Sequence, residues 1–130
     1  MGNNSSTPIV LDDGTHIGSA SEANQAFAKA IHRMHCIFKG CDDEFQELSG
    51  ALNDHGKQSE HYEAAGRRLQ ACQQRRTRQF TDIEAHCGPA QEAYRICTQR
   101  EENRNGQEYR CLPVLHSYLD CAEQALHKQS

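Results

Sequence analysis

The chain has no tryptophan, only four tyrosines and four phenylalanines, and three prolines in 130 residues. With 36% hydrophobic residues and a mean hydropathy of -0.86, it can build only a thin core. Covalent staples or a partner surface must then supply part of its stability. No apolar run approaches the length of a membrane span. An excess of basic charge is missing as well: 14 Lys and Arg stand against 18 Asp and Glu, for a net charge of -4 at pH 7. That balance argues against nucleic acid as a partner. The first thirty residues show neither a secretory apolar core nor an Arg-rich presequence, since they hold Asp12, Asp13 and Glu22 but only Lys29 as a base.

Chemical signatures are also absent. The sequence has no C-x-x-C or adjacent Cys pair, so zinc ribbons, thioredoxin-like redox motifs and reactive dithiols lose their usual mark. There is no G-x-S-x-G and no Gly-rich phosphate loop. Carboxylates are scattered at helix-surface spacing. The expectation is a protein without catalytic residues, cofactor or metal.

What the chain has is seven cysteines. Four of them form two matched stretches, "CGPAQEAYRIC" at 87–97 and "CLPVLHSYLDC" at 111–121, both reading C-x-P-x4-Y-x2-C. In a helix, positions ten apart sit roughly 80° apart and are separated by about 15 Å. A disulfide needs Cα atoms within about 7 Å, so neither stretch can close on itself. The linker "TQREENRNGQEYR" is polar and carries the turn pair Asn105-Gly106. A short connection favours antiparallel helices. The first cysteine of one then faces the last of the other, giving Cys87–Cys121 and Cys97–Cys111. Pro89 and Pro113 fall in the first helical turn, where a missing N–H costs nothing. Tyr94 and Tyr118 lie three residues before the closing cysteines and share their face, with Ala90, Leu115 and Leu119 adding apolar surface.

Upstream the pattern is degraded. Ser19 and Glu22 have capping-box spacing and predict a helix start. Apolar positions then recur at Phe27, Ile31, Met34, Phe38, Cys41, Phe45, Leu48 and Leu52, which predicts one buried helical stripe. "NDHGKQS" breaks the helix, and a second stripe follows through Tyr62, Ala65, Leu69 and Cys72. Ten residues after Cys41 stands Ala51, and ten before Cys72 stands Tyr62. The expected hairpin keeps an outer Cys41–Cys72 bridge and lacks an inner one. Cys36, about 140° around the helix from Cys41, is the odd thiol, and Cys36–Cys72 is the competing pairing.

Tandem C-x9-C hairpins are the mark of the coiled-coil-helix-coiled-coil-helix (CHCH) family of the mitochondrial intermembrane space, which this chain resembles from about Ser21 to His127. "YEAAGRRLQAC", "IEAHCGPAQEAYRIC" and "YRCLPVLHSYLDCAEQAL" carry the resemblance, and the double hairpin is similar to accessory subunits of respiratory complex I. The chain departs from the family where the inner pair of the first half reads Ala51 and Tyr62. The resemblance implies an all-α fold of two disulfide-stapled antiparallel hairpins. It divides the chain into an extended N-terminal tail (1–18), a degenerate first hairpin (19–84) and a complete second hairpin (85–130). It implies import by a disulfide relay, with Tyr94 and Tyr118 beside the attacked cysteines, and residence on the intermembrane-space side of the inner membrane. The role implied is non-catalytic, and the partners are other complex I subunits. The other role open to this fold is that of a free cytochrome oxidase assembly factor or cristae-organising protein. Cys41, Cys72, Cys87, Cys97, Cys111 and Cys121 are the expected functional residues.

Three further features have bland readings. "MGNNSS" matches the myristoylation pattern at Gly2, against a simple polar terminus; a polar tail of this kind would lie along a partner. "HRMHC" gathers His32, His35 and Cys36 as possible zinc or copper ligands, although adjacent His35 and Cys36 point apart on a helix. Arg67, Arg68, Arg75, Arg76 and Arg78 form a basic stretch that reads as a solvated helix face, with anionic lipid as the alternative.

Overall fold

The computed structural model describes residues 9–128, so the Gly2 pattern lies outside the described residues. Among these there are four helices: α1 (Ala20–Ile37), α2 (Asp42–His55), α3 (Glu60–Gln99) and α4 (Leu112–His127). Two strands, β1 (Ile9–Val10) and β2 (His16–Ile17), pair antiparallel, with Ile9 opposite Ile17 and Val10 opposite His16. The fold is all-α and stapled by three disulfides between helices.

The helix boundaries follow local chemistry. Ser19 caps α1, its Oγ accepting the Glu22 N–H at 3.2 Å. Ser59 does the same for α3, accepting the Tyr62 N–H at 3.1 Å. Gly56 ends α2 with φ of 84°, a left-handed conformation that glycine adopts without strain, and its N–H donates to Leu52 O. Asn105 and Gly106 take φ of 58° and 92°, the turn expected between the C-x9-C stretches. That connection also winds into two short 3-10 turns, Glu101–Asn103 and Glu108–Cys111.

The expected stripe from Phe27 to Leu52 does not belong to one helix. The chain leaves helical geometry between Ile37 and Asp42. Gly40 is a poor helix former, and Asp42, Asp43 and Glu44 are favoured in a first turn, where they face the positive end of the helix dipole. On α1 the fully buried positions are Ala23, Ala30 and Ile37, at seven-residue steps, and Phe27, Ile31 and Met34 are half-buried. On α2 no residue is buried, and Phe45 and Leu52 are 55% and 43% exposed.

The chain forms two compact units. One comprises the described residues up to Ile37 together with Ile83 onward, and the other is Phe38–Asp82. The change of unit at Ile83 falls two residues before the expected boundary after 84; the difference is that α1 groups with the second hairpin, because it packs on α4 and on the 3-10 turn before it. In that first unit the core is Ala23, Ile83, Leu112, Leu115, Tyr118, Leu119 and their neighbours. Arg33 fastens α1 to α4 through Glu123 (2.5 Å) and Asp120 (2.7 Å). Residues 9–17, expected as part of an extended tail, instead fold back as a hairpin. Leu11 is buried with Ala23 and Tyr109, and Ile9, Ile17 and Phe27 pack around them. The Asp12 N–H donates to Arg110 O at 2.9 Å, and the Arg100 guanidinium reaches the Asp12 carboxylate at 3.1 Å.

The hydrogen bond from Arg33 holds the Glu123 carboxyl below its ordinary range, with burial opposing. A carboxyl depressed on folding adds stability above its unfolded pKa of about 4.3, and that stability is lost as pH falls through the lower folded value. Both side chains are partly exposed, and solvent screening limits the pair to about 1 kcal/mol or less. Urea unfolding followed from neutral pH into the acid range should show a fall in stability that Glu123→Gln reduces. An unchanged acid limb in that variant would remove the pair from the account.

Candidate functional site: the disulfide staples

In the unit that holds α4, the chain enters the second helical stretch through a kink. Cys87 has non-helical φ and ψ of -118° and 17°. Pro89 follows two residues later, so its missing N–H falls in the first turn of the restarted helix. Pro113 takes the corresponding place at the start of α4. Cys87–Cys121 joins α3 to α4 and Cys97–Cys111 joins α3 to the 3-10 turn that leads into α4, each with Cα atoms 5.9 Å apart. The paired numbers fall along one stretch as they rise along the other, which is the signature of an antiparallel hairpin. Cys87, Cys97 and Cys111 are buried, so the sulfurs are part of the core. Tyr118 is buried and Tyr94 half-buried. Loss of hydration pushes both phenols above their ordinary range, with Glu108 beside Tyr94 and Glu84 beside Tyr118 adding to the effect. Both stay neutral at physiological pH and act as packing groups.

A residue absent from the sequence reading completes this site. Asn103 is 0% exposed. Its Nδ2 donates to Cys97 O at 2.9 Å and lies 3.4 Å from Cys97 Sγ. It closes the carboxyl end of α3, where backbone carbonyls lack helical partners, and sits over the Cys97–Cys111 bridge. Nothing local marks it: "EENRNG" reads only as a polar turn. Asn103→Ala should cost about 0.5–1.5 kcal/mol, because Cys97 O loses one of its two donors and keeps only the Arg100 N–H at 3.3 Å. Its exposed neighbour provides the control, since Arg104→Ala should be nearly silent in the same denaturation series. Equal effects at both positions would deny Asn103 this role.

In the other unit, Cys41 bridges Cys72 with Cα atoms 6.1 Å apart. The α2–α3 register is antiparallel throughout: Glu47 pairs with Arg68, Leu48 Cδ1 is 3.9 Å from where a Cβ on Gly66 would sit, and the His55 and His61 rings stack at 4.1 Å near the turn. Ala51 and Tyr62 stand where an inner bridge would close. Gly50, Ala51 and Ala65 line a groove of about 280 Å³ there. A second groove of about 320 Å³ runs beside the bridge and is lined by Asp43, Glu44, Glu47, Arg68 and Arg75.

Cys36 forms no bridge and is exposed, so the competing Cys36–Cys72 pairing is not the one adopted. Its Sγ lies 3.7 Å from His32 Nε2, one turn away. His35 is not drawn into this pair, and "HRMHC" does not assemble a metal-ligand set. Among the described residues, the ligand atoms of Cys41, Glu44 and Cys72 lie close enough to share an ion, but the two sulfurs are bonded to each other and hold no charge for a metal. The basic stretch is not simply solvated. Arg68 pairs with Glu47, and Arg76 lies 4.6 Å over the Phe80 ring and reaches Gln79. Phe80 in turn contacts Phe38 at 5.9 Å.

No helix among the described residues is long and apolar enough to cross a membrane. No family model matches the chain, and neither a curated protein nor a solved structure matches it.

Proposed function

We propose that the chain is a non-catalytic accessory subunit of mitochondrial respiratory complex I, peripheral on the intermembrane-space face of the membrane arm. The observation that carries this reading is the pair of bridges Cys87–Cys121 and Cys97–Cys111 across one antiparallel hairpin, preceded by a second hairpin closed by Cys41–Cys72. Double hairpins of this kind resemble the alpha-subcomplex subunit 8 of NADH:ubiquinone oxidoreductase. Six of seven cysteines are committed to staples, which suits a compartment that oxidises thiols. Folding and retention would then be one event: reduced chain passes a membrane, and oxidised chain is too rigid to return. The partners are neighbouring complex I subunits, with the relay machinery during biogenesis and anionic lipid as a further contact of the arginine stretch.

The test is native electrophoresis of mitochondria in mild detergent, probed for this chain. Co-migration with NADH dehydrogenase activity is the expected result. A small free species would instead assign the chain to the assembly or cristae-organising factors of the same fold.

A further inference from the structure

The segment 9–17 cannot hold itself in place. It is a hairpin of two strands with two residues each, and an isolated hairpin is marginal at best in water. Contacts with distant residues dock it. Leu11 is buried with Tyr109 and Ala23, and Phe27 packs against them. The Asp12 N–H donates to Arg110 O, and the Arg100 guanidinium donates to the two carboxylate oxygens of Asp12 at 3.1 and 3.4 Å. Ala23 and Phe27 belong to α1. The other three partners, Arg100, Tyr109 and Arg110, lie inside the loop that Cys97–Cys111 closes.

That loop has little regular structure of its own. Past the end of α3 it consists of two short 3-10 turns joined through the Asn105-Gly106 reversal, and 3-10 hydrogen bonds have poorer geometry than α-helical ones. The bridge fixes its two ends, and Asn103 ties its middle to Cys97 O. Arg100 stands near one end of the loop, Tyr109 and Arg110 near the other. They form one docking surface because the bridge holds the Cα atoms of Cys97 and Cys111 5.9 Å apart. Opening the bridge returns that stretch to the entropy of an open chain, and the surface comes apart.

We propose that residues 9–17 are a redox-dependent strap, docked while Cys97–Cys111 is closed and released when that bridge is reduced. Cys87–Cys121 crosses the same hairpin at its far end from this loop, and Cys41–Cys72 lies in the other compact unit. The strap therefore follows the inner bridge. Coupling of this kind is reciprocal: whatever factor the closed bridge adds to docking, the docked strap adds to closure. Reduction takes a dithiol. One of its thiolates attacks a bridge sulfur to form a mixed disulfide, and its second thiolate displaces that bond. Two electrons and two protons end on Cys97 and Cys111, and the dithiol closes to a cyclic disulfide. This inference concerns the bridge and the strap alone and does not rest on the assignment to a respiratory complex.

Hydrogen exchange of the full chain, read by mass spectrometry, gives the first test. Cys97→Ala with Cys111→Ala should speed exchange over 9–17 by about 10-fold or more and leave Phe38–Asp82 unchanged. The reciprocal test keeps the bridge in place, so it decides even where the double substitution loosens the whole hairpin. Against a dithiothreitol buffer, with thiols trapped and peptides weighed, Leu11→Asp should shift the Cys97–Cys111 equilibrium about 10-fold toward the thiols and leave Cys41–Cys72 where it was. Val10→Asp, at an exposed position of the same strand, should move neither bridge. Unchanged exchange over 9–17 without the inner bridge overturns the proposal. So does an inner bridge indifferent to Leu11→Asp, an equal shift at Cys41–Cys72, or an equal effect of Val10→Asp.

Discussion

Replacing Cys87 and Cys121 together by alanine will lower the unfolding free energy by about 4 kcal/mol. The bridge joins positions 34 apart in sequence, and the chain-entropy relation assigns about 3.7 kcal/mol to a loop of that length against about 3 kcal/mol for the separation of 14 from Cys97 to Cys111. Domains of this size hold about 5–15 kcal/mol in all, so one bridge is a large fraction of the total. The double substitution is the proper experiment, because a single one leaves a lone thiol that can exchange with the remaining disulfides. Urea unfolding without reductant should show the loss as a lower midpoint, and the outer bridge should cost more than the inner. A loss below about 1 kcal/mol would mean that packing alone holds the hairpin.

Leu119→Ala should be nearly as damaging, by about 2–5 kcal/mol. Leu119 is 0% exposed on α4, in a unit whose core is small, so little can collapse into the space left behind. Position and not residue type sets the cost. Leu52→Ala removes the same atoms from an exposed site on α2 and should change stability by about 0.5 kcal/mol or less. Parallel denaturation of the two variants measures the contrast. Similar losses at both sites would contradict the burial described for α2 and α4.

Much of this architecture is readable along the chain because its signals are local. The matched C-x-P-x4-Y-x2-C stretches, the Asn105-Gly106 turn, the Ser19 cap and the break at 53–59 each depend on residues a few positions apart. Where distant residues decide, the reading fails. The apolar period runs unbroken through Phe38, Cys41 and Phe45, so it hides the end of α1 at Ile37. Periodicity says which residues share a face, not whether anything covers it, and on α2 the face stays open. The grouping of α1 escapes the sequence for the same reason: α1 is drawn to α4 by Arg33, which meets partners 87 and 90 residues away. Leu11 is buried by Tyr109 and Ala23, contacts that no pattern in a polar N-terminal segment announces. Asn103 is invisible in the same way, since its value lies in one carbonyl and one sulfur beneath it.

The distribution of cysteines ties these parts to function. Cys87, Cys97 and Cys111 are sealed in the core, so reductants reach them only after local opening. Cys36 stands exposed next to His32 and is the position an added alkylating reagent should modify first in the oxidised chain.

The account stands on which sulfurs are joined, and that is measured directly by proteolysis of the unreduced, alkylated protein followed by mass spectrometry of the linked peptides. The predicted result is Cys41–Cys72, Cys87–Cys121 and Cys97–Cys111, with Cys36 alone carrying the alkyl label. Linkage of Cys36 to Cys72, or alkyl label on any of the six, would contradict the stapled double hairpin and the role built on it.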